Sequence, residues 1–395
     1  MQISGPIPPA GQNVDPRTIP SNISAGGPDR TAGATPRLPH IPELDGLRGI
    51  AALMVFCHHA CFSTIHDGPW PTAIRVLRGA SLYGANGVEL FFVLSGFLIT
   101  SILIGDRGKA SYYAPFYWKR VLRIVPVYAA MLLYIIVFVP NNRIAMLCAV
   151  LFVANFSWFW HVQPLMPFWT LAIEEQFYLL WPTLVHHQRV RTLARWAVSV
   201  ALGSIACRLI FAYFGHYNYY LTILHCDGLA WGALLACLYV KRGDGLRRAW
   251  WVVLVAFTLA GAVFLGNHFV PVTTIRGLAC FAALAMTGIS LLSLAIVGVL
   301  VFRSGAWWLG VFRSRVLVFF GLISYAFYMI HLYVIQAYDH RWAAPAAPHA
   351  MAYTVRVMAT FAATVAIATA SRYLLELPAM RLRRFIPALA RARSG

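Results

Sequence analysis

Long apolar runs, repeated along most of the chain, constrain this sequence more than any other feature. Each run is about 18 residues long or longer, which is enough to cross the hydrocarbon core of a bilayer as a helix. Of the 395 residues, 60% are apolar and only 11% are charged, a balance that excludes an ordinary soluble fold. The pattern predicts an all-α, polytopic transmembrane helix bundle.

Ten spanning helices are predicted from the apolar runs. An eleventh apolar stretch, 144–160, is expected to be re-entrant or to lie at the membrane interface. Counting it as a span would move the basic segment HHQRVRTLAR to the side opposite the other basic loops. The predicted spans are 46–64, 83–104, 116–139, 168–185, 196–213, 222–240, 249–267, 276–301, 316–336 and 351–376.

The basic residues lie mainly in the short loops between these spans. The chain has 32 Lys and Arg against 13 Asp and Glu, a formal charge of +19. Most of these cations fall on one side of the predicted topology, which is therefore the cytoplasmic side, with both termini inside. Because the cations set orientation, we expect no nucleic-acid partner. The opposite loops hold only Arg75, Arg78, Arg143 and Arg341.

One membrane domain, 41–385, accounts for most of the chain. Residues 1–40 are rich in Pro, Gly and Ser and lack the apolar segment of a signal peptide, so we expect a disordered cytoplasmic tail. Residues 386–395 are predicted to form a basic cytoplasmic tail. The 7 cysteines are scattered and lack metal-ligand spacing, so we expect small buried residues and no metal site.

Ionisable residues inside predicted spans are candidates for function because each costs at least about 2.5 kcal/mol near the bilayer centre. Arg48 and His59 lie about 16 Å apart along the first span and within roughly 20° of one helix face. His58 points about 100° away from that face. A lone membrane histidine is often a packing residue, but an arginine on the same face favours a functional site for His59.

Two further spans carry polar residues at helical spacing. Arg120 and Arg123, at i and i+3, form a cationic patch, although basic residues at a helix end are usually orientation anchors. In FWTLAIEEQFYLLWP, Glu174 and Tyr178 lie one turn apart, with Trp169 near the start. A structural glutamate paired to a neighbouring helix is the alternative there.

The span GLISYAFYMIHLYV carries Ser324, Tyr328 and His331 on one stripe, which indicates that this helix faces the bundle interior. In the predicted topology, His59, Glu174, Asp227 and His331 fall in the outer halves of their helices. The three arginines gather at the cytoplasmic ends. This layout suits an anionic cytosolic donor whose reactive end meets an acceptor on the far side.

Six segments occur in a fixed order along the chain: LDGLRGIAAL, ELFFVLSGFLIT, FWTLAIEEQFYLLWP, CDGLAWGALLA, ISYAFYMIHLYV and LLELP. Together they resemble the segments of the acyltransferase-3 membrane family. That family includes O-antigen and exopolysaccharide acetylases and macrolide acylases. Its Arg/Lys-x10-His motif matches Arg48 and His59, and its RxxR motif matches Arg120 and Arg123. The resemblance covers residues 41 to about 385. The C-terminal SGNH hydrolase-like domain of some members is not expected here, so any step that it supplies would be performed by another protein or not at all.

The resemblance implies a bacterial inner-membrane O-acyltransferase that uses acyl-CoA, with acetyl-CoA as the expected form, as co-substrate and has no bound cofactor. Arg48, Arg120 and Arg123 would hold the phosphates of CoA. His59 would act as general base or carry the acyl group, with Glu174 orienting it.

A carbohydrate or glycoconjugate acceptor is implied by the same resemblance. The implied acceptor and cavity-lining residues are Trp169, Tyr178, Asp227, Ser324, Tyr328 and His331, although the aromatic ones could be interfacial belt residues. The alternatives are a transporter or flippase, to which intramembrane charges are equally natural, and a non-enzymatic scaffold. The residues do not decide the oligomeric state.

Overall fold

The computed structural model of the chain describes residues 40–62, 71–109, 111–139, 143–215, 218–240, 244–269, 275–342 and 350–385. Within these ranges every regular element is helical, so the predicted all-α fold class is confirmed. The two predicted tails, 1–40 and 386–395, lie outside the described residues except for His40.

Thirteen α-helices occupy the described ranges. A π-helix, His58–Phe62, continues α1, and a second π-helix, Arg372–Glu376, lies between the last two helices. The α-helices are α1 Pro42–Cys57, α2 Thr72–Leu82, α3 Gly87–Gly105, α4 Tyr113–Phe138, α5 Arg143–Val150, α6 Phe168–His187, α7 Val190–Tyr213, α8 Cys226–Val240, α9 Asp244–Phe269, α10 Ile275–Phe302, α11 Arg315–Arg341, α12 Ala350–Ser371 and α13 Leu377–Arg381.

Each of the ten predicted spans coincides with one of these helices. Among the described residues, six helical stretches are long and apolar enough to cross a membrane: Thr72–Gly105, Tyr113–Phe138, Val190–Tyr213, Ala279–Phe302, Arg315–Arg341 and Ala350–Phe385. Two shorter apolar helices, Cys226–Val240 and Trp250–Val263, lie in α8 and α9. The helix α1 is only 16 residues long, and α6 carries Glu174 and Glu175 inside its sequence. The count of ten crossings stays a prediction.

The eleventh apolar stretch, 144–160, does not form one long helix. The eight residues of α5 rise only about 12 Å, far less than the roughly 30 Å of a hydrocarbon core. The chain then turns through Phe152, whose φ is 56°, into the 3-10 helix Ala154–Trp160. The expectation that this stretch does not span as a single helix therefore holds.

Glycines let α1 and α11 pack backbone against backbone. A methyl group at Gly46 would overlap the carbonyl oxygen of Phe312, and one at Gly321 would overlap that of Asp45. Gly49 lies equally close to the carbonyl of Leu317. Small residues at a membrane helix contact permit such an approach, so α1 and α11 form a tightly joined parallel pair.

The helix α4, in contrast, contains Pro126 in its interior. Proline has no backbone N–H, so one intrahelical hydrogen bond of α4 is missing next to Arg123.

Candidate active site

One polar cavity, of about 570 Å³, lies among α1, α3, α4, α6 and α11. Its volume falls within the usual range for a ligand pocket, roughly 300–1,000 Å³. Seven of the predicted site residues line it: Arg48, Arg120, Arg123, Glu174, Tyr178, Ser324 and Tyr328. Lys119, Ser95 and Thr170 line it as well.

A larger cavity, of about 730 Å³, lies between α4, α11 and α12. Its walls are almost wholly apolar, and Arg341 is its one charged lining residue among those described. The larger cavity brings together no acid, base and nucleophile. The smaller polar cavity is therefore the candidate active site.

The arginines come from two helices and face one another in the polar cavity. The cations of Arg48 and Arg120 both repel that of Arg123. The guanidinium carbon of Arg120 lies 3.8 Å from the ring centroid of Tyr178 and 4.5 Å from that of Phe116. The lining also includes Lys119 and the carboxylates of Asp45, Asp106 and Glu174, so the arginine cluster forms a local cationic patch that favours an anionic ligand.

Glu174 lies on α6 in the same cavity, and both of its carboxylate oxygens have partners. Ser95 donates to Oε1 at 2.8 Å, and the Tyr178 hydroxyl donates to Oε2 at 3.1 Å. Arg120 and Arg48 attract this carboxylate electrostatically. Glu174 thus contacts Ser95 and Tyr178, whereas the resemblance implied that it orients His59, a role that stays a prediction. Glu174 instead orders the cavity wall between the arginines and Tyr178.

The hydroxyl groups of α6 and α11 are also held in fixed positions. Thr170 donates to the carbonyl of Pro167 at 2.9 Å, so the Tyr328 hydroxyl, 2.9 Å away, donates to Thr170. Ser324 donates to the Gly321 carbonyl at 2.9 Å. After these donations, the oxygens of Tyr328 and Ser324 keep lone pairs that can accept hydrogen bonds from a ligand in the cavity.

Two histidines meet just beyond Tyr328. Nε2 of His331 lies 3.1 Å from Nδ1 of His59, and the two ring centroids are 5.0 Å apart. His331 is only 1% exposed. The ring of Tyr328, at the cavity wall, lies 5.8 Å from that of His331. The histidine pair therefore borders the cavity through Tyr328 but does not line it.

The hydrogen bonds of this pair assign its tautomers. Nδ1 of His331 lies 2.6 Å from the Tyr328 carbonyl, which can only accept, so Nδ1 carries the proton and Nε2 the lone pair. Nδ1 of His59 lies 3.0 Å from the Val55 carbonyl and therefore also carries a proton. In the neutral pair, Nε2 of His59 is then the basic nitrogen. This is the arrangement that a general base requires.

The π-helix changes the register that the sequence predicted for His59. An α-helical count places Arg48 and His59 on one face, but the α-helix ends at Cys57 and the wider π-turn begins at His58. Arg48 lines the cavity, whereas His59 lies beside His331 instead. His58 points elsewhere, as predicted, with Nδ1 3.2 Å from the Ser81 carbonyl.

Two predicted site residues lie away from the cavity. Trp169 packs its ring 5.6 Å from that of His225, and it does not line the polar cavity. Asp227 is fully buried and forms an ion pair with Arg208, which also donates to the Leu224 carbonyl at 2.8 Å. Trp169 and Asp227 are therefore not among the residues that line this cavity, and their roles toward an acceptor stay predictions. The partner of Asp227, Arg208, comes from the neighbouring helix α7, and residue spacing along one helix does not reveal such a partner.

Several polar contacts escaped the sequence reasoning. Ser95 is one small hydroxyl residue in the mainly apolar α3, and its contact with Glu174 gave no signal in the sequence. Arg356 and Asp339 form an ion pair near His59, and an arginine inside an apolar run was a signal that could have found it. Glu89 accepts from Ser290 at 2.8 Å and lies 3.1 Å from Nδ1 of His225, forming a second buried polar cluster.

Comparison with known proteins agrees with this geometry. The profile of the acyltransferase domain of the acyltransferase-3 family matches residues 41–373. The chain belongs to the acyltransferase-3 family. With its apolar helices, it is a multi-pass membrane protein of a family of acyltransferases. Its Arg48, Arg120 and Arg123 share one cavity, as the family resemblance implied.

Three curated relatives illustrate the similarity. The peptidoglycan O-acetyltransferase OatA of Listeria monocytogenes is 30% identical over 166 residues, which are 37% of this chain and 24% of that protein. The O-acetyltransferase OatA of Staphylococcus aureus is 29% identical over 227 residues, 51% of this chain and 35% of the relative.

A putative O-acetyltransferase of Staphylococcus aureus is 27% identical over 348 residues, 78% of this chain and 53% of the relative. The chain thus spans between about a quarter and about half of the length of these relatives. No solved structure matches the chain significantly.

Proposed function

We propose that this protein is an inner-membrane O-acyltransferase that moves an acetyl group from cytosolic acetyl-CoA to a hydroxyl of a carbohydrate or glycoconjugate on the extracytoplasmic side. The observation that carries the proposal is one cavity with three arginines in its wall and a histidine pair bordering it. The relatives are named as O-acetyltransferases, which supports this reaction.

The arginines are suited to the phosphates of CoA. A guanidinium group can present a bidentate fork to a phosphate, and a bound phosphate would relieve the repulsion among Arg48, Arg120 and Arg123. The predicted topology places these residues toward the cytoplasmic ends of α1 and α4, where acyl-CoA is available. The acyl end would extend along the cavity toward Tyr328.

His59 would supply base catalysis at the other end. Its Nε2 takes the proton of the acceptor hydroxyl, the hydroxyl oxygen forms a bond to the thioester carbon, and the C–S bond to CoA breaks. The imidazolium then returns the proton to the departing thiolate. Meanwhile His331 Nε2 accepts from Nδ1–H of His59 and stabilises the positive charge. An alternative path forms an acyl-imidazole at His59 first, and the acceptor oxygen then attacks it.

The reaction can be tested with purified, detergent-solubilised protein. Acetyl-CoA carrying a radioactive acetyl group would be supplied together with candidate glycan acceptors, and both free CoA thiol and labelled glycan would be measured. Equal amounts of the two products, lost in His59→Ala, are expected. A labelled protein formed without acceptor would select the acyl-imidazole path. Absence of CoA release with every acceptor, alongside glycoconjugate movement in vesicles, would instead favour the transporter alternative.

A further inference from the structure

We infer that Arg356 on α12 is a positioning residue that holds the π-turn of His59 in its reactive geometry. This inference rests on the proposed function of His59, but part of its test does not require activity. Neither the spacing of the motifs nor the names of the relatives single out Arg356. It is the hydrogen bonding of its side chain that does.

Arg356 connects three segments with one side chain. Its Nε and Nη2 lie 2.6 and 2.7 Å from the two carboxylate oxygens of Asp339 on α11, a bidentate ion pair. Its Nη1 donates to the carbonyl oxygen of Ala60 at 3.0 Å. Ala60 follows His59 directly in the π-helix His58–Phe62. The guanidinium group therefore fixes the peptide next to the proposed base.

The burial of Arg356 indicates that these contacts matter to the fold around it. Only 5% of the residue is exposed, within a helix of the membrane domain. An arginine there is costly unless its donors are satisfied, and the carboxylate of Asp339 compensates its charge. A single basic residue anchoring α12 to α11 would need only that ion pair. The additional bond to Ala60 joins both helices to the end of α1.

Aromatic contacts also join α12 to α1 and α1 to α11 near the histidine pair. Phe361 on α12 lies 5.3 Å from Phe56 on α1, ring centroid to centroid, and Phe56 lies 6.4 Å from His331. The π-turn is wider than an α-turn and is usually retained where function demands it. Support from outside the helix is consistent with that demand. Without it, the ring of His59 would lose its alignment with His331.

The chain offers a matched control for this role. Arg313 also combines an ion pair with a bond to a carbonyl: its Nη1 lies 3.6 Å from Glu43, and its Nη2 donates to Ala306 at 3.1 Å. It makes these contacts near the start of α11, remote in sequence from the π-turn. Lysine at either position keeps the charge but cannot donate to a carboxylate and a carbonyl through one rigid fork.

The test compares Arg356→Lys with Arg313→Lys in purified protein of verified Tm and monodispersity. We expect kcat for acetyl transfer to fall at least about tenfold in Arg356→Lys, with the KM for acetyl-CoA within about twofold of wild type. In Arg313→Lys both constants should stay near wild type. A kcat in Arg356→Lys within about twofold of wild type overturns the inference. A loss of kcat that only matches a loss of folded protein also overturns it.

A second measurement works without catalysis. Diethyl pyrocarbonate modifies neutral imidazole nitrogens, and peptide mass spectrometry reports the rate at His59 by itself. We expect that rate to rise about threefold or more in Arg356→Lys and to stay unchanged in Arg313→Lys, because a loosened ring leaves its partner on His331. An unchanged rate at His59 in Arg356→Lys overturns the inference. If wild type released no CoA at all, the proposed function would fail, and this measurement would still decide the positioning role.

Discussion

The ring nitrogens of His59 and His331 lie 3.1 Å apart and join the π-turn at the end of α1 to the middle of α11. Within this pair, the tautomer of one histidine is determined by the other and by two backbone carbonyls. The pair therefore behaves as one basic unit with Nε2 of His59 as its reactive nitrogen.

Replacing His59 with alanine should abolish acetyl transfer, by a factor of about 10² or more, because the general base is removed. His58→Ala should be much milder, because the His58 side chain contacts the Ser81 carbonyl and not His331. Acceptor acetylation by purified variants that insert and accumulate normally would measure both. An inactive His58→Ala together with an active His59→Ala would contradict the assignment.

Replacing His331 with alanine should lower kcat about tenfold to 100-fold while leaving the KM for acetyl-CoA near wild type. The base would remain and the Val55 carbonyl would still hold its tautomer, but the charge of its imidazolium would lose the support of His331. Steady-state kinetics over a range of acetyl-CoA concentrations separates the two constants. A variant with raised KM and normal kcat would place His331 in substrate binding instead.

The arginines should depend on geometry and not on charge alone. Arg120→Lys and Arg123→Lys should weaken acetyl-CoA binding about tenfold, because lysine offers phosphate a point charge and no bidentate fork. Alanine should be worse at either position. Equilibrium binding in detergent measures the affinity, with the exposed Arg195→Lys as control. Wild-type affinity in the lysine and alanine variants alike would remove both residues from the donor site.

Gly321→Ala should lower the Tm and the activity together, since the added methyl group overlaps the Asp45 carbonyl on α1. Overpacking of this kind costs about 1–3 kcal/mol. Gly203, on the exposed face of α7, has open space around it. Gly203→Ala should therefore be neutral or stabilise by up to about 1 kcal/mol. Thermal unfolding of the two variants in one detergent tests the contrast, and equal Tm values would contradict close α1–α11 packing.

The predicted topology can be checked by labelling engineered cysteines in sealed cells. In a background without native cysteines, Gln188→Cys between α6 and α7 should resist an impermeant maleimide, because the predicted loop is cytoplasmic. Thr72→Cys, at the exposed start of α2, should react. Efficient labelling of Gln188→Cys from outside would mean that the stretch 144–160 crosses after all.

Apolar run length was a sufficient guide to the helices, because a bilayer limits the length of a span directly. All ten predicted spans coincide with helices, and the short α5 confirms that 144–160 is not a single long helix. The cavity was predictable in part, because polar residues at helical spacing face the bundle interior. The pairing of helices was not, since it depends on the close approach at Gly46, Gly49 and Gly321.

That missing information explains the particular errors at the site. His59 pairs with His331 because α11 packs on α1, whereas Glu174 accepts from Ser95 on α3. Asp227 is held by Arg208, which lies on the adjacent α7. The π-helix at His58 lies beyond the reach of a regular 100° count, since it begins inside a run with no proline or glycine to signal it.

The close backbone contact between α1 and α11 also limits how this protein can change shape. Two helices whose carbonyls press against glycines cannot slide or rotate past each other without separating, so the side of the cavity formed by Arg48 and Ser324 and the adjoining His59–His331 pair stay fixed relative to each other. Entry of a bulky nucleotide then requires the opposite wall to move. The helix that would move is α4, because Pro126 interrupts its backbone hydrogen bonds one turn beyond Arg123. Movement of α4 would thus bind and release the donor, while the alignment of the two imidazoles is preserved throughout the cycle.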